Sequence, residues 1–278
     1  MEGRGRRMMT RIVRLALLSV LVGAVFYGSA VAYVFFNQRR YLYYPGVAAQ
    51  AIDPAGPAIR QVTLKTPDNE TLVAWYLPPA DRDKPMLLYF NGNGLGLSVQ
   101  SARWREIADE GAGFFAVGYR GYSGSTGTPT EKGLRMDAEA AWQWLAARYP
   151  PQRIVIEGYS LGTGLAVKLA AEHPARALIL EAPYTSAVDV ARTQMSWAPV
   201  RWLMLDRYES AAWIGKVRCP VLIVHGDQDN VIPFTQGQTL YQLVKAPKRF
   251  ERMEGSNHNL VGDGLYDRIW PFLAQVAP

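Results

Sequence analysis

The hydrophobic pattern divides the chain into two unlike parts. From Leu15 to Phe36, 22 residues run without a formal charge, most of them Leu, Val, Ala, Phe and Tyr. As a helix they would reach about 33 Å, enough for a hydrocarbon core of roughly 30 Å. Beyond Pro45 the pattern changes to short apolar runs alternating with longer segments of helical period. The runs Gln61–Lys65, Leu72–Leu77, Met86–Phe90, Phe114–Gly118, Arg153–Glu157, Ala177–Glu181, Pro220–His225 and Lys248–Met253 predict eight strands. Several are almost continuous Val, Ile, Leu and Phe, as expected of strands covered on both faces. The first two are more polar and read as an antiparallel edge hairpin.

Helices are predicted over Leu97–Glu110, Glu131–Arg148, Leu161–Glu172, Phe234–Leu243 and Leu265–Gln275. Regular alternation of this kind implies a mainly parallel sheet with helices on both faces. The expected organisation is a basic segment over 1–14, a transmembrane signal-anchor helix over 15–36, a juxtamembrane linker over 37–58 and one catalytic domain over 59–278. Residues 185–217 break the rhythm. Met195, Trp197, Trp202, Leu203, Met204, Leu205 and Trp213 make this stretch long and apolar. It predicts a small helical cap over the site or a surface resting on lipid, the plainer alternative being a helical excursion whose aromatics pack on the core.

Charge locates the domain. The chain carries 30 Lys and Arg against 24 Asp and Glu, a net +6. Residues 1–40 hold seven arginines and one acid, so removing them leaves 23 of each sign. A nucleic-acid partner would call for a basic excess on the folded domain, and none is there. Five arginines precede the apolar span, and Arg39 and Arg40 follow it. The positive-inside bias then puts the N-terminus in the cytoplasm and the domain on the exported side. Two alternatives stand beside the anchor. One is a signal peptide cut near Ala30-Val31-Ala32, although 18 apolar residues exceed the usual ~7–15. The other is a buried core helix, which leaves the arginines unexplained. Cys219, the single cysteine, excludes an internal disulfide framework and reads as a buried thiol.

Gly158-Tyr159-Ser160-Leu161-Gly162 fits G-x-S-x-G between a predicted strand and a predicted helix. That context is what a nucleophile elbow requires; otherwise Ser160 would be an ordinary helix-capping serine. A serine hydroxyl needs a base. Of three histidines, His173 falls at a helix end and His225 ends a strand. His258 lies in a polar loop after the last strand, from which it can reach the elbow. Asp229, just past the seventh strand, is the expected acid, with Asp227 in reserve. The order Ser160, Asp229, His258 is the one this fold uses. Backbone N–H groups of Leu161 and of Asn93, in Asn91-Gly92-Asn93-Gly94, are the expected oxyanion donors. Neither metal-ligand spacing, a dinucleotide fingerprint nor a P-loop is present, so no cofactor is expected.

These residues resemble the α/β-hydrolases of the serine aminopeptidase or lysophospholipase-like type, in particular membrane-anchored members. The similarity runs from Arg39-Arg40-Tyr41-Leu42-Tyr43-Tyr44-Pro45 to the C-terminal helix. It includes Gly118-Tyr119-Arg120-Gly121-Tyr122-Ser123-Gly124-Ser125, Thr128-Pro129-Thr130-Glu131, Asp137-Ala138, Glu181-Ala182-Pro183-Tyr184-Thr185-Ser186 and Pro220-Val221-Leu222-Ile223-Val224-His225-Gly226. The family commonly has His-Gly where this chain has Asn91-Gly92. The resemblance implies hydrolysis of ester, thioester or lipid acyl-ester bonds in a small acylated or lipid-like substrate. A peptidase with the same three residues, and a silent anchored binding module, are the competing readings.

Overall fold

A computed structural model describes residues 2–45, 57–94 and 96–276. The first helix, α1 (Glu2–Leu42), is continuous and contains a stretch long and apolar enough to cross a membrane. It runs past the predicted end at Phe36, so residues 37–42 of the expected linker are helical. Arg39 and Arg40 fall in its last turn, where a cation suits the helix dipole. Most of the rest of that linker, 46–56, lies outside the described residues. Side chains from Arg6 to Ser29 are exposed. From there one face turns to the domain, with Val31, Val34, Phe35, Gln38 and Leu42 half-buried at the i, i+3, i+4 spacing of a helix stripe.

The domain is built on one eight-stranded sheet of β1 (Arg60–Lys65), β2 (Thr71–Leu77), β3 (Met86–Phe90), β4 (Gly113–Val117), β5 (Ile154–Tyr159), β6 (Ala177–Glu181), β7 (Val221–Gly226) and β8 (Lys248–Met253), in the order β1-β2-β4-β3-β5-β6-β7-β8. β2 pairs antiparallel with both β1 and β4, and every other pair is parallel. Strands β3 to β7 are buried along their whole length, which is why their sequences are runs and not alternations. Edge strands β1 and β8 carry the polar residues. Two apolar cores lie one on each face, the first around Leu88, Phe115, Leu165 and Ile223, the second around Leu87, Trp104, Ile179 and Ile269.

The covering helices are α2 (Ser101–Asp109), α3 (Glu131–Ala146), α4 (Leu161–Glu172), α5 (Ala187–Gln194), α6 (Val200–Leu203), α7 (Ser210–Trp213), α8 (Phe234–Leu243) and α9 (Tyr266–Gln275). The predicted helix over 97–110 is split into a tight turn at Leu97–Gln100 and α2. Tertiary partners explain the break: Ser123 Oγ accepts from the Leu97 N–H, and the Leu97 carbonyl accepts from the Trp104 indole. Residues 185–217 form α5, α6 and α7 with loops between them. Trp213 packs against the core, whereas Trp197 and Trp202 do not. This segment is fastened to α1 by Gln38, which donates to the Leu203 carbonyl and accepts from the Leu205 N–H, and by Arg39 with Asp206 at 2.8 Å. The Tyr43 and Tyr208 hydroxyls add a buried hydrogen bond of 2.8 Å.

Candidate active site

Ser160 sits between β5 and α4 with φ 51° and ψ −120°. A non-glycine residue there is strained by roughly 1–3 kcal/mol, tolerated only where surroundings dictate it. The Glu181 carbonyl accepts from the Ser160 N–H at 2.9 Å, and the Ser160 carbonyl accepts from Thr163. The flanking glycines make the turn possible. A Cβ at Gly162 would lie 2.1 Å from the Phe90 carbonyl oxygen, and one at Gly158 would lie 2.6 Å from that of Gly162. Ser160 is thereby held at the carboxyl ends of the strands while staying almost covered, 7% exposed as a residue.

The structure brings together Ser160, His258 and Asp229. His258 Nε2 lies 2.9 Å from Ser160 Oγ, and its Nδ1 lies 2.7 Å from Asp229 Oδ2. Asp229 also accepts from the Val231 and Ile232 N–H groups, each at 2.8 Å. Burial alone would raise its pKa. Hydrogen bonds from His225 and His258, with the Ile232 N–H, outweigh burial and hold the carboxyl well below the usual carboxylate range. Asp227, the reserve, points elsewhere: it pairs with Arg252 at 2.7 Å and accepts from the Gly255 N–H. His173 is remote, stacked on Trp142 and paired with Glu139.

His225 has a larger part than its sequence suggested. It is fully buried, with Nε2 3.1 Å from the Ile232 carbonyl and 3.2 Å from Asp229 Oδ2. A carbonyl can only accept, so Nε2 carries the proton and shares it with the carboxylate. Asp229 therefore has a histidine on each side. The sequence signal was available in His225-Gly226-Asp227-Gln228-Asp229, since a residue at a strand end faces the loop that follows it.

Leu161 is the first residue of α4, and Asn93 lies on the loop after β3; both line the same cavity as Ser160. That loop passes close by, so a Cβ at Gly92 would stand 3.4 Å from the Ser160 Cβ. The Asn93 carbonyl accepts from the Tyr44 N–H at 3.1 Å and from the Tyr122 hydroxyl at 2.7 Å, and its side chain donates to the Leu42 carbonyl. The chain leaving α1 thus clamps the loop. Asn91 is buried, its side chain accepting from Gln100 Nε2 and its carbonyl from the Tyr119 hydroxyl. Gln100 in turn accepts from Arg103, which is 1% exposed and paired with Glu157 and Glu181 at 2.8 Å each. Burial and the neighbouring Glu181 push the Glu157 carboxyl well above its usual range. One guanidinium is thus shared between two buried acids.

The cavity in front of Ser160 encloses about 180 Å³. Its walls are Leu161, Tyr184, Val190, Met195, Leu203, Met204 and Ile232 from the domain and Val31, Val34, Phe35, Gln38, Tyr41 and Leu42 from α1. Among the described residues no Asp, Glu, Lys or Arg lines it. Among the described residues no group of three or more His, Cys, Asp or Glu is placed to hold a metal ion. The Arg120 motif is also accounted for away from this cavity: Arg120 pairs with Asp137 at 2.8 Å and with Asp68 at 2.7 Å, bracing the loop after β4.

Comparison with known proteins follows the same lines. The family described as alpha/beta hydrolase fold matches residues 85–207. An uncharacterized protein of Mycobacterium tuberculosis is 34% identical over 273 residues, covering 94% of this chain and 96% of its own. Human alpha/beta hydrolase domain-containing protein 17B is 33% identical over 78% of this chain and 76% of its own. The lysophosphatidylserine lipase ABHD12 of Danio rerio is 32% identical over 63% of this chain and 51% of its own. Among solved structures, the Pyrococcus furiosus esterase Pf2001 superposes with a TM-score of 0.69 at 16% identity, covering 84% of this chain and 97% of its own.

Proposed function

The chain belongs to the α/β-hydrolase fold family, and from that premise we propose that it is a serine hydrolase cleaving carboxylic ester, thioester or lipid acyl-ester bonds. The observation that carries this reading is the unbroken hydrogen-bond chain from Ser160 Oγ through His258 to Asp229. Ser160 Oγ attacks the acyl carbon while His258 Nε2 takes its proton. Asp229 keeps Nδ1 protonated and stabilises the imidazolium. The N–H groups of Leu161 and Asn93 receive the oxyanion, each such donor contributing roughly 2.7–4 kcal/mol. His258 then returns the proton to the leaving alkoxide or thiolate. Water attacks the acyl-enzyme by the same path, releasing the acid and restoring Ser160.

The walls of the cavity favour an acyl chain. Among the described residues they are mostly apolar and hold no acid to pair with a peptide amine, which supports an esterase over an aminopeptidase. The lipase and esterase among the similar proteins agree in kind. Residues 185–217 act as the cap. The helix α1 anchors the protein, with the arginine-rich end in the cytoplasm and the domain exported; a C-terminal alkaline phosphatase fusion should be active, and an inactive one would reverse the orientation. The substrate class is tested by comparing p-nitrophenyl acyl esters with aminoacyl anilides on the purified chain. Ester turnover alone is expected. Turnover of anilides alone would replace this reading with the peptidase one.

A further inference from the structure

We propose that the end of α1 and the cap together form a bilayer-immersed mouth, through which the acyl chain of a membrane lipid passes sideways to Ser160. The inference rests on the ester-hydrolase reading for its chemistry and on α1 spanning a membrane for its geometry. An anchor that only tethers a domain need not touch the site. Here Val31, Val34, Phe35 and Gln38 are walls of the Ser160 cavity, and three of these lie inside the apolar span. The cap follows the helix still further toward its N-terminus. The Tyr27 hydroxyl donates to the Trp197 carbonyl at 3.1 Å, and the two rings meet edge to face with centroids 6.4 Å apart.

Tyr27 precedes the end of the span at Phe36 by nine residues. At the rise of a helix that is about 13 Å, close to half the roughly 30 Å thickness of a hydrocarbon core. A cap fastened to α1 at Tyr27, Gln38 and Arg39 therefore reaches into the outer leaflet if the span is seated in the membrane. Its surface is suited to that place. Trp202 is 83% exposed, Leu205 53% and Trp197 50%, an apolar patch that water disfavours. Between Asp189 and Asp206 the chain has two arginines and no acid, and the tryptophans and arginines match the chemistry of the lipid–water boundary. The occupant of this face is thus the bilayer itself. An acyl chain lying along α1 would enter the cavity without crossing water.

The test uses the full chain in vesicles of phosphatidylcholine and phosphatidylglycerol. An environment-sensitive dye is attached to Trp202→Cys and, as a control, to Asp83→Cys at the far end of the sheet. Cys219 is buried, and burial pushes its thiol up to about 11, so it competes poorly for the dye. Quenching by acyl-chain spin-labelled lipid is expected at position 202 and not at 83; equal, water-like exposure at both overturns the immersed cap. In parallel, Val34→Trp narrows the cavity from the α1 side. Its ratio of long-chain to short-chain ester turnover should fall by about tenfold or more, a steric discrimination of the usual size. An unchanged ratio overturns α1 as a wall of the acyl site. Absence of any ester turnover in wild type would sink the hydrolase reading, while the quenching result would still decide the immersion.

Discussion

Asp229, just past β7, and Glu157, on β5, are both carboxyl groups with no solvent-exposed side-chain surface, yet their pKa values are pushed in opposite directions. Asp229 is surrounded by donors: two histidine N–H groups and two backbone amides. Glu157 has Arg103 and the Tyr266 hydroxyl, but it shares Arg103 with a second acid, Glu181. Burial alone would neutralise either one. The neighbours decide the direction: an excess of donors pulls the Asp229 pKa down, and a second acid close by adds to burial in pushing that of Glu157 up. The two settings serve different ends. An anionic Asp229 can stabilise an imidazolium at His258, while the raised Glu157 carboxyl eases the burial of two acids beside one Arg103 behind the Asn91 loop.

The comparison can be broken most severely at Asp229. Asp229→Asn keeps the shape and loses the charge, so ester turnover should fall by about 10⁴ with the fold intact by circular dichroism. Arg103→Met removes the cation that Glu157 and Glu181 share, which should cost about 3–5 kcal/mol in urea unfolding at pH 7. His225→Leu takes one donor from Asp229, with an expected cost of about 1.5–3 kcal/mol. The sign of its pH dependence follows from the depressed carboxyl. Asp229 contributes stability above its unfolded value of 3.8 and loses it as pH falls through the lower folded value, so wild type and variant should converge on acidification.

The smallest effect belongs to Glu157→Gln, which imitates the protonated state. At pH 7 it should lie within about 1 kcal/mol of wild type. A raised folded pKa means stability fully present below the unfolded value of 4.5 and lost as pH rises through the folded one. Wild type should therefore weaken toward alkaline pH more than the variant. Parallel pH–stability curves for the two proteins would show that Glu157 is ionised after all and remove the contrast with Asp229.

Strands and the Ser160 turn were legible because their sequence signals are local. Continuous Val, Ile, Leu and Phe runs state burial on both faces, and Gly158 and Gly162 state close backbone approach on either side of a serine. Asp229 could be preferred to Asp227 by its position along the loop, although only the Arg252 pairing explains where Asp227 goes. The Arg103 cluster was not legible. Charge pairing among Glu157, Glu181 and Arg103, on three distant elements, leaves no mark in any one of them. The role of α1 was hidden for the opposite reason. A span apolar on every side does not disclose which stripe faces protein, and Gln38, the polar residue that bonds to Leu203 and Leu205, lay just beyond it.

The central claim is that Ser160 is an activated nucleophile. A fluorophosphonate probe tests it directly, applied at neutral pH to the full chain and to Ser160→Ala, with the labelled residue located by peptide mass. Wild type should label once, at Ser160, and Ser160→Ala should not label. Failure of the folded wild type to label, or equal labelling of Ser160→Ala, would contradict the account.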